Sequence, residues 1–117
     1  MQRLNNSYKI VTTKIFVQSL ARLSSFLSRK YSTNLSREQI TKIKRLINKK
    51  LTDNPSLYPL SERLLPLGIY QCRQWSLDEH NIVFYRIDED NKKVILLVVM
   101  DSRQSIEKLL YELVLLS

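Results

Sequence analysis

The stretch Asn81-Ile82-Val83-Phe84-Tyr85-Arg86-Ile87-Asp88-Glu89-Asp90-Asn91-Lys92-Lys93-Val94-Ile95-Leu96-Leu97-Val98-Val99-Met100 decides the fold. Both of its halves are rich in β-branched and aromatic residues, which fit a pleated, half-buried surface. Between them lies Asp88-Glu89-Asp90-Asn91, a cluster whose short polar side chains favour a turn. Two strands joined by so short a link run antiparallel. The unbroken apolar run at residues 94–99 predicts a strand buried on both faces. With Met100 it is the longest apolar run of the chain, seven residues, and a bilayer span needs about 20.

Downstream, Asp101 is placed to cap a last helix, because a carboxylate accepts the free N–H groups of a first turn. Ile106, Leu109, Leu110, Leu113 and Leu116 give that helix, expected over about residues 102–116, its apolar stripe. Upstream, residues 67–75 read as a further strand and residues 76–80 as a polar connection. The sheet region is therefore expected over about residues 67–100, as an antiparallel meander. Residues 55–66 read as a loop whose Leu57, Tyr58, Leu60, Leu64 and Leu65 lie across the core.

The first half has a different period. Phe16, Leu20, Leu23, Leu27 and Tyr31 fall on one helical stripe, with Gln18, Arg22, Ser25 and Arg29 on another face. Ser32-Thr33-Asn34 breaks this helix. Ser36-Arg37-Glu38-Gln39 has the form of a capping box, and Ile40, Ile43, Ile47 and Leu51 continue as a second buried stripe. Lys42, Arg45 and Lys49 line the outer face, with Lys44 and Lys50 beside them. Asp53-Asn54-Pro55 ends the second helix. The short link makes a helical hairpin over about residues 13–53, preceded by a short strand at residues 8–12. The order β-α-α-β-β-β-α defines an α+β fold, an antiparallel sheet packed against a helical hairpin and a C-terminal helix, as one domain over residues 1–117.

The net charge of +8 is unevenly placed. Residues 1–50 hold twelve Lys and Arg against one acid, Glu38, a balance of +11; residues 51–117 hold seven bases and ten acids, a balance of −3. Such asymmetry points to an anionic partner for the first half, nucleic acid or an acidic protein segment, or to a solvated Lys-rich surface. A single cysteine, Cys72, excludes an intramolecular disulfide, and a single histidine, His80, leaves no zinc cluster. The first residues lack the apolar core of a secretory leader. No cofactor, metal or membrane contact is expected, and the compartment is expected to be the cytoplasm. His80 reads as a loop residue, Cys72 as a small buried hydrophobe, and Trp75 and Tyr70 as core.

Several stretches, in order, resemble the RelE/ParE toxin superfamily: Tyr8-Lys9-Ile10-Val11-Thr12 before the helical hairpin, Asn54-Pro55-Ser56-Leu57-Tyr58-Pro59 after it, Leu67-Gly68-Ile69-Tyr70-Gln71-Cys72-Arg73, the strand with Tyr85-Arg86-Ile87, and Val98-Val99-Met100-Asp101-Ser102-Arg103-Gln104. The resemblance covers nearly the whole chain. It implies the toxin of a bacterial type II toxin–antitoxin module, which inhibits growth and stabilises plasmids. A cognate antitoxin, acidic and DNA-binding, would neutralise it in a hetero-oligomer. RelE-like members cut messenger RNA on the ribosome, whereas ParE-like members poison DNA gyrase. The chain departs from the nuclease pattern: Met100 and Asp101 stand where a histidine often precedes the exit arginine, and no histidine follows His80.

RNA cleavage needs a base, an acid and cations at the crowded phosphate. On the nuclease reading those groups would be Arg73, Arg86 and Arg103, converging on one sheet face, with Tyr85 or Tyr111. Arginine suits a phosphate clamp and makes a poor base. The sheet half is nearly neutral, so the ParE-like reading, a gyrase inhibitor without catalysis, leads. A ribosome-dependent mRNA endonuclease is the alternative, and a degenerate, non-toxic antitoxin-binding member is a second. Partner-binding residues are expected at Arg22, Arg29, Lys42, Arg45 and Lys49 on the hairpin. Leu109 and Leu113 on the last helix either dock the partner or close the core.

Overall fold

Residues 7 to 115 are described by a computed structural model of the chain. The elements are β1 (Lys9–Thr12), α1 (Lys14–Lys30), α2 (Thr33–Lys50), β2 (Arg73–Ser76), β3 (Asn81–Asp88), β4 (Lys93–Asp101) and α3 (Ile106–Leu110), which ends in a π-helical turn, Tyr111–Leu115. This is the expected α+β order.

Helix α1 starts where the sequence places it. The Thr13 hydroxyl accepts the Phe16 N–H at 3.0 Å and donates to the Leu96 carbonyl at 2.9 Å, so one side chain caps the helix and ties it to β4. Helix α2 starts four residues earlier than the capping-box motif suggests. Ser32 is its cap, accepting the Leu35 N–H at 3.0 Å. Ser36 lies inside the helix, buried, and its hydroxyl donates to the Ser24 carbonyl at 2.9 Å. The small side chain serves the crossing of the two helices, and the break between them shrinks to Tyr31 and Ser32.

The four strands form one sheet in the order β1-β4-β3-β2. The β2-β3-β4 meander is antiparallel as expected, whereas β1 pairs parallel to β4, with Lys9 opposite Lys93 and Thr12 opposite Leu96. The sheet is therefore mixed. A parallel neighbour needs a long crossover, and the helical hairpin begins that crossover. The β3–β4 register shifts between Phe84 and Tyr85, where Phe84 faces Val98 and Tyr85 faces Leu96. Leu97 is the extra residue of a β-bulge.

Two cores follow from the two faces of the sheet. Val83, Tyr85, Val94, Leu96, Val99 and Trp75 pack beneath the hairpin against Phe16, Leu23, Leu27, Ile43, Ile47 and Leu51. Ile82, Phe84, Val98 and Met100 lie on the other face with Ile106, Leu109, Leu113, Leu64 and Cys72. Burial on both faces of β4 holds from Val98 to Asp101, while Ile95 and Leu97 are half-buried. Tyr31, expected on the buried stripe of α1, is exposed.

The meander begins at Arg73, not at residue 67. Leu65–Leu67 forms a 3-10 turn, and Gly68 follows in the left-handed region with φ +77°, a conformation that costs glycine no Cβ clash. Gln71 also has positive φ, 61°. These turns prevent an extended chain, and Tyr70 stands exposed rather than in the core. The preceding loop lies along the outer edge of β2: the Ser61 N–H donates to Cys72 O at 2.7 Å and the Gln74 N–H to Pro59 O at 3.0 Å. An edge covered in this way offers no free ladder to another chain.

The last helix starts later than expected, at Ile106. Ser105 caps α3, accepting the Lys108 N–H, and residues 102–104 form a turn closed by the Gln104 N–H on Asp101 O at 2.9 Å. Asp101 does not cap the helix because Arg103 holds its carboxylate. Leu116 lies outside the described residues.

Candidate functional site

Beneath α3 and its π-helical turn the back face of the sheet stays partly uncovered. The bulge turns Leu97 to the same side as Val98, the Leu64–Ile69 turns form one wall, and α3 with its π-helical turn forms the other. The result is an apolar groove of about 600 Å³ floored by Phe84, Leu97, Val98 and Cys72. Leu67, Leu110, Tyr111 and Val114 line its walls together with Thr13 and Ile15, and among the described residues Glu107 is its only lining residue with a full charge. Several of these apolar side chains are well exposed, including Leu67, Tyr111 and Val114. A contiguous apolar surface of this kind marks a docking site more often than a catalytic one. Burial pushes the Cys72 thiol up to about 11, so it stays protonated and inert at neutral pH.

Of the five groups of the nuclease reading, Arg73 and Tyr85 are cross-strand neighbours, and Arg86, Arg103 and Tyr111 lie apart from them. Tyr85 is buried beneath the hairpin, and its hydroxyl donates to the Pro55 carbonyl. Burial holds that hydroxyl far above the usual tyrosine range, so it stays protonated. Arg73 lies opposite Tyr85 and spends its guanidinium on the loop, donating to Tyr58 O at 2.6 Å and Ser56 O at 3.4 Å. The Tyr58 ring stacks on Trp75 with centroids 5.1 Å apart. Arg86 follows Tyr85 on the opposite face and is exposed. Arg103 lies beyond the end of β4, near the Asn81 end of β3 and away from Arg86. Tyr111 stands at the groove. Alternation along β3 separates Tyr85 from Arg86, and this was legible from the period of two.

Arg103 is held from several sides. It donates to both oxygens of the buried Asp101 carboxylate at 2.7 and 2.6 Å and to the Tyr31 hydroxyl at 2.8 Å, and its guanidinium lies 5.8 Å from the ring centroids of both Phe26 and Tyr31. Burial alone would raise the pKa of Asp101, but the Arg103 contacts outweigh it and hold the carboxyl below the usual range.

The hairpin cations fall into two sets. Arg22 pairs with Glu112 at 2.8 Å, joining α1 to the C-terminal turn. Lys42, expected on the outer face, turns inward and pairs with Asp78 at 2.6 Å. Asp78 also accepts the N–H groups of His80 and Asn81, each at 2.9 Å. Burial opposes ionisation of Asp78, but these donors together hold its carboxyl well below the aspartate range. Arg29, Arg45 and Lys49 face solvent. Leu109 and Leu113 are buried in the back-face core, so they close it and are not exposed for docking. Sequence reasoning missed the groove, because the bulge that brings Leu97 to the side of Val98 leaves no mark in the local period. The described residues contain no cluster of three or more His, Cys, Asp or Glu fit for a metal, and no described helix is long and apolar enough to cross a membrane.

No family model matches the sequence, and no curated protein matches it. The likeness is in the fold. A chain of the toxin–antitoxin complex RelBE2 from Mycobacterium tuberculosis is similar with a TM-score of 0.61 at 16% identity, over 81% of this chain and 98% of that one. A chain of the chromosomal ParDE TA system from P. aeruginosa is similar with a TM-score of 0.66 at 12% identity, over 83% of this chain and 98% of that one. The chain thus has a RelE/ParE-like fold.

Proposed function

We propose that this chain is the toxin of a type II toxin–antitoxin module, neutralised by an antitoxin segment seated in the apolar groove, and that it acts by binding DNA gyrase rather than by cutting RNA. The observation that carries the reading is the fold, shared over nearly the full length of chains from two toxin–antitoxin complexes. The groove supports the partner: a disordered segment that folds on binding needs an apolar seat to offset its ordering entropy. An amphipathic helix or strand with Leu, Ile or Val on one side fits a wall of Leu67, Leu110 and Val114.

The side-chain chemistry favours binding over catalysis. An RNA-cleaving site needs cations free to clamp a phosphate and a group of suitable pKa beside it. Here Arg73 is spent on loop carbonyls, Arg103 on a buried carboxylate, and the Tyr85 hydroxyl is buried. Expression of the chain alone is expected to arrest growth. Co-expression of a small acidic protein from the neighbouring reading frame, with a DNA-binding N-terminal part, is expected to restore it and to co-purify with the chain. Growth indifferent to the chain alone contradicts the toxin reading.

A further inference from the structure

The outer face of α2 takes no part in the groove, which lies on the other side of the sheet. We infer that this face docks the phosphate backbone of duplex DNA. Arg37, Lys44, Arg45 and Lys49 are exposed there, and none is in an ion pair among the described residues; on this helix only Lys42 is held by an acid. At about 100° per residue, Arg37 and Lys44 lie together on one flank, Lys49 lies roughly 120° away on the other, and Arg45 lies between. The ridge between the flanks carries Thr and Asn side chains that can donate to phosphate oxygens, and its single acid is Glu38. Helix α2 alone holds six Lys and Arg against the one Glu38, a balance of +5, which steers an anion toward this face.

The composition of the face selects the occupant. Its exposed positions are Lys, Arg, Asn, Thr and one Glu, with no exposed apolar or aromatic residue. A protein partner needs such residues as anchors at the centre of an interface, and single-stranded nucleic acid is held on aromatic platforms. A backbone-only contact needs cations and small donors. A convex helix with cations on both flanks fits the wide major groove of B-form DNA, about 12 Å across. The deep, narrow major groove of A-form RNA does not admit it.

The test is fluorescence anisotropy of the purified chain with a labelled DNA duplex of roughly 20 bp, from about 50 to about 200 mM salt. Four phosphate contacts give a slope of log K against log salt of about −3.6, a loss of roughly a hundredfold over that range. The triple variant Lys44→Glu, Arg45→Glu, Lys49→Glu is expected to weaken binding more than tenfold and to flatten the slope. The triple variant Lys9→Glu, Lys14→Glu, Arg63→Glu, with an equal fall in net charge, is expected to retain most of the affinity and the slope. Circular dichroism checks that each variant folds, and the corresponding alanine variants serve if a reversal unfolds. Absent or salt-independent binding, equal weakening by both triples, or tighter binding of duplex RNA, a single strand or an acidic peptide overturns the inference. Only purified chain and DNA are needed, so the outcome is independent of the gyrase reading.

Discussion

Arg103 grips the carboxylate of Asp101 two residues away, Nε on Oδ1 at 2.7 Å and a terminal nitrogen on Oδ2 at 2.6 Å, while Asp101 is 0% exposed. The same arginine reaches the Tyr31 hydroxyl at the end of α1, so one side chain closes the exit of β4 onto the hairpin. The arginine that the nuclease reading would set at the phosphate is held here by Asp101 and Tyr31.

Loss of one partner therefore leaves a buried charge without compensation, which is worse than losing both. Arg103→Ala is expected to lower the urea midpoint, followed by circular dichroism, more than the double variant Asp101→Asn, Arg103→Met. If the single variant proves as stable as the wild type, the clasp is only a surface pair.

Acid stability depends on the same kind of contact. Asp78 and Asp101 both have folded pKa values below the ordinary aspartate value, so their stabilisation is present in full above about pH 3.9. It is lost as pH falls from there through the lower folded values. Urea midpoints measured from pH 6 to about pH 2 are expected to fall steeply below about pH 4. Asp78→Asn is expected to be less stable at pH 6 and to show a shallower fall.

Ser19 joins the hairpin to the sheet. Its buried hydroxyl accepts the Val99 N–H at 3.0 Å and donates to Phe16 O at 2.8 Å. Ser19→Ala leaves that N–H buried without a partner and is expected to cost about 1–3 kcal/mol in chemical denaturation. Leu23→Ala, at a fully buried site of the same helix, is expected to cost about 2–5 kcal/mol.

Tyr85→Phe separates structure from chemistry. The hydroxyl donates to Pro55 O, so its removal is expected to cost about 1 kcal/mol of stability. Growth arrest by the variant is expected to equal that of the wild type when both are overexpressed. A folded variant without toxicity gives the tyrosine a chemical role.

The groove gives the sharpest separation of partner from fold. Leu67 and Val114 are 39% and 52% exposed, so Leu67→Asp with Val114→Asp is expected to change stability little and to abolish co-purification of the antitoxin. Retained capture moves the docking site elsewhere.

The element order was legible because alternation in residues 81–100 and helical spacing in residues 16–51 report two different periods. The start of α2 is hidden because Ser36 with Gln39 carries the capping-box pattern and Ser32 does not, while the approach of Ser24 draws Ser36 into the helix crossing. The strand expected from residue 67 fails at Pro66, Gly68 and the positive φ of Gln71, which break an apolar run that otherwise reads as extended. The parallel pairing of β1 depends on a contact more than 80 residues away, which no local period encodes. Of the candidate site, the exposed Arg45 and Lys49 were legible from their place on the helix. The inward turn of Lys42 depends on Asp78 in the β2–β3 connection, a distant partner the period does not show.

The central claim, a toxin that binds rather than cuts, is tested most directly by inducing the chain without its antitoxin and following plasmid supercoiling, trapped gyrase–DNA complexes and mapped 5′ ends of messenger RNA in the same cells. The account predicts loss of negative supercoiling and accumulation of trapped complexes, with no new cuts in translated messages. Unchanged supercoiling together with new 5′ ends within translated messages, abolished by Arg73→Ala or Arg103→Ala in folded protein, would contradict it.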